Sequence, residues 1–251
     1  MLNHRCMGAG EALVLVHGFL GGGGYWGPVA AHFAERFQVV LVDLPGFAGS
    51  AALPVPETVT GFGAALIELL DQLGIERCTL LGHSMGGMIA QQVALDAPSR
   101  ITRLILYGAA CQAGLTERFE TIEETMARIE AEGIEATADR VVATWFVDGE
   151  KSSAYDACRA AGVGISAASA IAAMTTMRRW SVRERLGEIG APTLVIGGDG
   201  DRSIASHHFL DLWRGIPDCR LAVVPGCAHA AHLEKPDLFI SLLGDFLATD
   251  P

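Results

Sequence analysis

Six short, almost wholly apolar runs, separated by longer stretches with helical spacing, constrain this chain more than any other feature of its sequence. The runs are Ala12–Val16, Gln38–Val42, Cys78–Leu81, Ile101–Tyr107, Thr193–Ile196 and Leu221–Val224. A strand with one wet face alternates apolar and polar residues, whereas a strand covered on both faces does not. These unbroken runs therefore predict a parallel sheet buried between helices. Between them, Thr58–Leu73 places Phe62, Ala65, Leu66, Leu69 and Leu73 at steps near three and four, and Met85–Ala97 and Glu234–Leu247 keep the same rhythm. Strand–helix alternation of this kind reads as an α/β fold with a doubly wound, mostly parallel sheet. At 251 residues the chain is long enough for one large core.

One segment breaks the alternation. From 111 to 185 no strand is recognisable, while Phe119, Ile122, Met126 and Ile129 recur at helical steps among Glu and Arg. Val141, Val142, Trp145 and Phe146 suggest a second helix, and Ile171, Met174 and Met177 a third. The expected organisation is an α/β core, 1–110 and 186–251, interrupted by a helical cap over 111–185.

Lys and Arg number 18 against 29 Asp and Glu, a net charge of −11. Nothing basic offsets repulsion from a phosphate backbone, so nucleic acid is not an expected partner. The six cysteines are scattered without a C-x-x-C pair and read as reduced thiols. The first residues, MLNHRCMGAGE, lack the charged and apolar regions of a signal peptide. No apolar run approaches the roughly 20 residues that span a bilayer. No membrane partner and a cytoplasmic location are expected.

Gly82-His83-Ser84-Met85-Gly86-Gly87 contains G-x-S-x-G, directly after one apolar run and directly before a helical stretch. That context makes it a nucleophile elbow, a sharp strand-to-helix turn that exposes the serine hydroxyl. A serine nucleophile needs a base, and the base needs an orienting acid. Candidates follow in chain order at the ends of the last two runs. They are Asp199 and Asp201 in Gly198-Asp199-Gly200-Asp201, and His229 in Gly226-Cys227-Ala228-His229. His232 opens the next helical stretch, which favours His229 as the base. His17-Gly18-Phe19 ends the first run, so the Phe19 and Met85 amides are the expected oxyanion donors.

Other features carry less chemistry. His207-His208 and the His229–His232 spacing lack the H-E-x-x-H pattern of a metal site, and Gly21–Gly24 lacks the G-K-[ST] of a phosphate loop. Neither a metal nor another cofactor is expected. Trp145, Trp180 and Arg178 lie in the insertion and are the candidate substrate contacts. Arg178-Arg179 suits a carboxylate, although a solvated helix end explains the pair as well.

In this order, His17-Gly18-Phe19, Asp43-x-Pro45-Gly46, Gly82-x-Ser84-x-Gly86, the stretch from Pro192 to Asp201, and Gly226-x-x-His229 resemble the α/β-hydrolase superfamily over nearly the whole chain. The resemblance favours Asp201, three residues after Gly198, as the triad acid. It implies a helical cap over the carboxyl edge of the sheet with the active site between them. Within the superfamily the chain looks most like the small-cap group of 3-oxoadipate enol-lactonases, cofactor-free esterases and C–C bond hydrolases. Members usually begin with a hairpin, and only about a dozen residues precede the first run here, so one strand is expected to be missing or the start late. The expected reaction is hydrolysis of a small ester, lactone or enol-lactone through an acyl-enzyme. C–C cleavage of a β-diketone or vinylogous diketone is the alternative, and a ligand receptor or acyltransferase on the same scaffold is a further one.

Overall fold

The computed structural model describes residues 1–113 and 117–249. Seven strands, β1 (His4–Met7), β2 (Glu11–Val16), β3 (Phe37–Val42), β4 (Cys78–His83), β5 (Ile101–Tyr107), β6 (Thr193–Gly198) and β7 (Cys219–Val224), form one sheet. Its order is β1-β3-β2-β4-β5-β6-β7. All neighbours pair in parallel except β1, which runs antiparallel to β3. The residues ahead of β2 thus do build a strand. Its sequence, HRCM, has no apolar run, because it lies at the sheet edge and buries little.

Ten α-helices flank and cap the sheet among the described residues. They are α1 (Gly27–Phe33), α2 (Val59–Gln72), α3 (Met85–Asp96), α4 (Ile122–Glu132), α5 (Ile134–Ala143), α6 (Tyr155–Ala161), α7 (Ala167–Met177), α8 (His207–Gly215), α9 (Ala231–Glu234) and α10 (Pro236–Leu247). The stretch expected as one helix from Glu234 divides at Lys235. Proline at the first position of α10 has no N–H to continue the earlier turn, and it drives the residue before it out of helical geometry.

Alternate residues of each strand point to opposite faces. On β2, Val14 and Val16 join a cluster with Leu66 of α2, Ile89 of α3 and Phe209 of α8. Leu13 and Leu15 join a second cluster with Val29 of α1 and Phe239 and Leu243 of α10. Both faces are sealed over β2 to β6, which is why those strands read as unbroken apolar runs; the run Leu221–Val224, read as equally covered, lies in the edge strand β7, where of these residues only Val224 is buried.

Helices α4 to α7 fall between β5 and β6. Phe119 lies ahead of α4 rather than in it. A capping box starts that helix, with Thr121 Oγ1 accepting from Glu124 N–H and the Glu124 carboxylate accepting from Thr121 N–H. Ile122, Ile129, Val141, Phe146 and Met174 belong to the same cluster as the α2–α3 face of the sheet. The inserted helices share that core and have no separate one.

Candidate active site

The order in which strands are laid down reverses at β2: the path runs outward to β3 and then returns to the other side of β2 as β4. A reversal of strand order opens a crevice at the carboxyl ends of the strands. His17, Gly18 and Phe19 follow β2 at this point, and Ser84 follows β4.

The turn into α3 is tight. A Cβ on Gly82 would lie 2.1 Å from the Gly86 carbonyl oxygen, and one on Gly86 2.5 Å from that of Val16. No other residue type fits either position. Ser84 is held at φ 54°, ψ −116°, a region that side-chain-bearing residues rarely adopt. Its N–H donates to the Tyr107 carbonyl at 2.9 Å, tying the elbow to β5. From Gly82 to Gly87, Ser84 is the one residue that is not fully buried.

His229 follows β7 and is buried, with Asp201 beside it. His229 Nδ1 lies 2.7 Å from Asp201 Oδ2. The other carboxylate oxygen accepts from the amides of Ser203 and Ile204 at 2.8 and 2.9 Å, so the carboxylate cannot rotate away. A carboxylate only accepts, so Nδ1 carries the proton and leaves Nε2 free to take one. Asp199 is engaged elsewhere, accepting from Gly226 N–H at 2.7 Å. His232 is buried against Tyr107, 3.1 Å from its hydroxyl, and burial pulls its pKa down to about 3.

Ser84, His229, Phe19 and Met85 all line one cavity of about 290 Å³. Met85 is the first residue of α3, so its amide has no intrahelical acceptor. Neither it nor the Phe19 amide has a backbone partner among the described residues. The Gly18–Phe19 peptide is held from behind. Its carbonyl accepts from His17 Nδ1–H at 2.8 Å and from Gly21 N–H at 3.1 Å. His17 Nε2 accepts from Leu44 N–H at 2.9 Å. Burial keeps that imidazole neutral, with a pKa lowered to about 4.

The cap closes the cavity with Trp145, Met177 and Arg178. Trp145 stacks obliquely 5.7 Å from the His229 ring, and its carbonyl accepts from Ala230 N–H. Glu234 adds a second tie between the inserted helices and the His229 loop, accepting from Val147 N–H at 2.7 Å and Ala228 N–H at 2.6 Å. Trp180 is the sequence-derived contact that the structure places elsewhere. It packs against the core, and its indole N–H donates to Gln92 Oε1 at 3.0 Å. Periodicity located it on the insertion but could not give the direction of its ring.

Arg118 and Gln112 are among the lining residues missed from sequence. Arg118 sits ahead of α4 in a stretch without periodicity, and Gln112 lies in the crossing from β5 to the cap. Arg118 and Arg178 make no ion pair among the described residues, and Glu123 is the acidic residue of the lining. Burial lowers the Arg118 pKa, while Glu120 and Asp201 raise it. Cys227, beside the base loop, is a buried thiol whose pKa rises to about 11. Among the described residues no three His, Cys, Asp or Glu side chains gather as a metal site requires, and no helix is long and apolar enough to cross a membrane.

A family model described as alpha/beta hydrolase fold matches residues 11–236. The chain belongs to that family. It is an α/β-hydrolase enzyme, and its relatives are hydrolases. It is 30% identical to the 2-hydroxy-6-oxo-6-phenylhexa-2,4-dienoate hydrolase of Comamonas testosteroni over 260 residues, covering 98% of this chain and 91% of that one. A hydrolase from Pseudomonas aeruginosa PA01 superposes with a TM-score of 0.88 at 27% identity, covering 99% and 94% of the two chains. The enol-lactonase from Burkholderia xenovorans LB400 shares the fold with a TM-score of 0.91 at 24% identity, covering 99% and 96%.

Proposed function

We propose that this α/β-hydrolase cleaves a small carboxylic ester, lactone or enol-lactone through an acyl-enzyme on Ser84. The observation that carries the reading is the buried His229–Asp201 pair at 2.7 Å, opening on the same cavity as a strained, partly exposed Ser84. His229 Nε2 takes the Ser84 proton as Oγ attacks the carbonyl carbon. Asp201 holds the imidazole and stabilises its cation. The Phe19 and Met85 amides receive the oxyanion, a contribution of about 10²–10³ in rate per donor. His229 then returns its proton to the leaving oxygen and activates the water that frees Ser84. Arg118 and Arg178 suit a carboxylate on the substrate, because each brings into a largely apolar cavity a cation that makes no ion pair among the described residues. No step requires a cofactor.

C–C hydrolysis of a vinylogous diketone is the second reading, favoured by the 30% identity to the Comamonas testosteroni enzyme over nearly its full length. It uses the same three side chains on a ketone carbonyl.

The test is whole-protein mass after fluorophosphonate treatment of wild type and Ser84→Ala, with turnover of p-nitrophenyl acetate, mono-p-nitrophenyl succinate and a vinylogous diketone. One adduct lost in the variant, together with Ser84-dependent ester turnover, supports the primary reading. Ser84-dependent cleavage of the diketone alone moves the assignment to C–C hydrolysis. No adduct and equal background rates in both proteins overturn both and leave a receptor or transferase.

A further inference from the structure

Two side chains that the proposed mechanism does not use join its three parts. Tyr25 lies in the turn between β2 and α1, and His83 is the last residue of β4, immediately before Ser84. Both are buried. Gly18 N–H donates to the Tyr25 hydroxyl at 2.9 Å, that hydroxyl lies 2.9 Å from His83 Nδ1, and His83 Nε2 lies 3.0 Å from the His229 carbonyl.

Counting protons fixes every direction in this chain. A backbone amide only donates, so Tyr25 accepts from Gly18 and sends its own proton to His83 Nδ1. A carbonyl only accepts, so the His83 proton sits on Nε2 and points to His229. Burial drives the His83 pKa well down, which keeps that single neutral tautomer in place. The arrangement has no slack. Each donor has one acceptor, and rotating any member leaves a buried polar group without a partner.

The bridge spans the three loops that the reaction must hold in register. Its first end grips Gly18, whose carbonyl belongs to the same planar peptide as the Phe19 amide. His17 and Gly21 hold that carbonyl, and Tyr25 holds the N–H on the other side of the same residue. Its middle is covalently next to the nucleophile. Its last end grips the backbone of the base, where the Tyr107 hydroxyl donates to the same carbonyl at 2.8 Å. His83 also stacks on Tyr107 with centroids 4.3 Å apart. A stiff polar link is out of proportion to what packing alone requires there, because phenylalanine and leucine would fill the same volume.

We propose that Tyr25 and His83 are positioning residues, whose buried hydrogen-bond bridge sets the Phe19 amide and the His229 backbone at one spacing around Ser84. The inference rests on the acyl-enzyme reading for its consequence, but not for its geometry. Neither side chain touches substrate. Their contribution lies in the transition state, where an oxyanion misplaced by a fraction of an ångström loses most of its stabilisation while the ground-state complex barely changes.

The experiment uses Tyr25→Phe, His83→Asn and the double variant in the full chain. Tyr25→Phe is expected to lower kcat for p-nitrophenyl acetate at least tenfold with KM within threefold. The double variant should be no more than about threefold slower than the slower single, because both side chains act along one path. A kcat within twofold of wild type, or losses that multiply in the double variant, overturns the proposal. A second readout is independent of activity: the His229 carbonyl ¹³C resonance should move in Tyr25→Phe, although Tyr25 does not touch that carbonyl. An unmoved resonance overturns the bridge. Absence of Ser84-dependent turnover in wild type would defeat the hydrolase reading instead, and the resonance alone then decides the bridge.

Discussion

Replacing Asp201 with asparagine separates the orienting role of this carboxylate from its packing. The side chains match in shape, and asparagine Oδ1 keeps the acceptor that serves the Ser203 and Ile204 amides at 2.8 and 2.9 Å. Its NH₂ then faces His229 Nδ1 across the 2.7 Å that Oδ2 now spans. That group only donates, so Nδ1 must accept and the imidazole proton moves to Nε2. In the proposed mechanism Nε2 is the atom that takes the Ser84 proton, and here it arrives already protonated. The expected loss is on the order of 10⁴ in kcat, about 5 kcal/mol of barrier. Hydrogen bonds are conserved in number, so stability in urea should change by no more than about 1 kcal/mol. Steady-state turnover of p-nitrophenyl acetate, paired with urea unfolding, reads both quantities. Asp201→Asn with kcat within tenfold of wild type would refute the reasoning. An equal or larger kcat loss in Asp199→Asn would show that the acid had been misassigned.

Three further outcomes follow from the geometry. Gly86→Ala puts a methyl 2.5 Å from the Val16 carbonyl and should cost more than about 3 kcal/mol in urea unfolding, or abolish soluble expression; a near-native midpoint would contradict the close approach. Trp180→Phe should cost about 1 kcal/mol through the Gln92 hydrogen bond while leaving kcat/KM within twofold, whereas Trp145→Ala should lower kcat/KM at least tenfold. Burial pulls the His17 and His232 pKa values to about 4 and about 3, so the unfolded chain binds protons below about pH 6.5 that the folded one refuses. Stability therefore falls as pH drops, by about 1.4 kcal/mol per unit for each group until its folded pKa is reached. Urea midpoints that stay flat between pH 6.5 and 4.5 would contradict this.

The parts of this molecule that sequence reveals are those where one local rule governs. Strands β2 to β6 are covered on both faces and so are unbroken apolar runs, and the elbow needs glycines at two positions where any side chain collides with backbone. Strand β1 left no apolar run, since none of its four residues, HRCM, is fully buried. Helix α6 escaped because its seven residues bury only Cys158 fully. Trp180 and Arg118 fail in opposite ways. The first reads as a contact because it lies in the insertion, but its ring turns toward Gln92, while the second sits ahead of α4 in a stretch that the fold carries to the cavity. Tyr25 and His83 left no trace, since a hydrogen bond between residues far apart in the chain has no spacing to recognise. Loop contacts of this kind are set by tertiary approach alone.

The strained backbone of Ser84 has a consequence for how much stability this protein can have. A residue with a side chain at φ 54°, ψ −116° costs about 1–3 kcal/mol relative to a relaxed one. Glycine would be at ease there, so Ser84→Gly should raise the melting temperature by several degrees. The conformation that aims the hydroxyl into the cavity is thus one the fold would shed if stability alone were selected. Every substitution that stabilises this enzyme elsewhere leaves that reserve untouched, and the one that would recover it removes the proposed nucleophile.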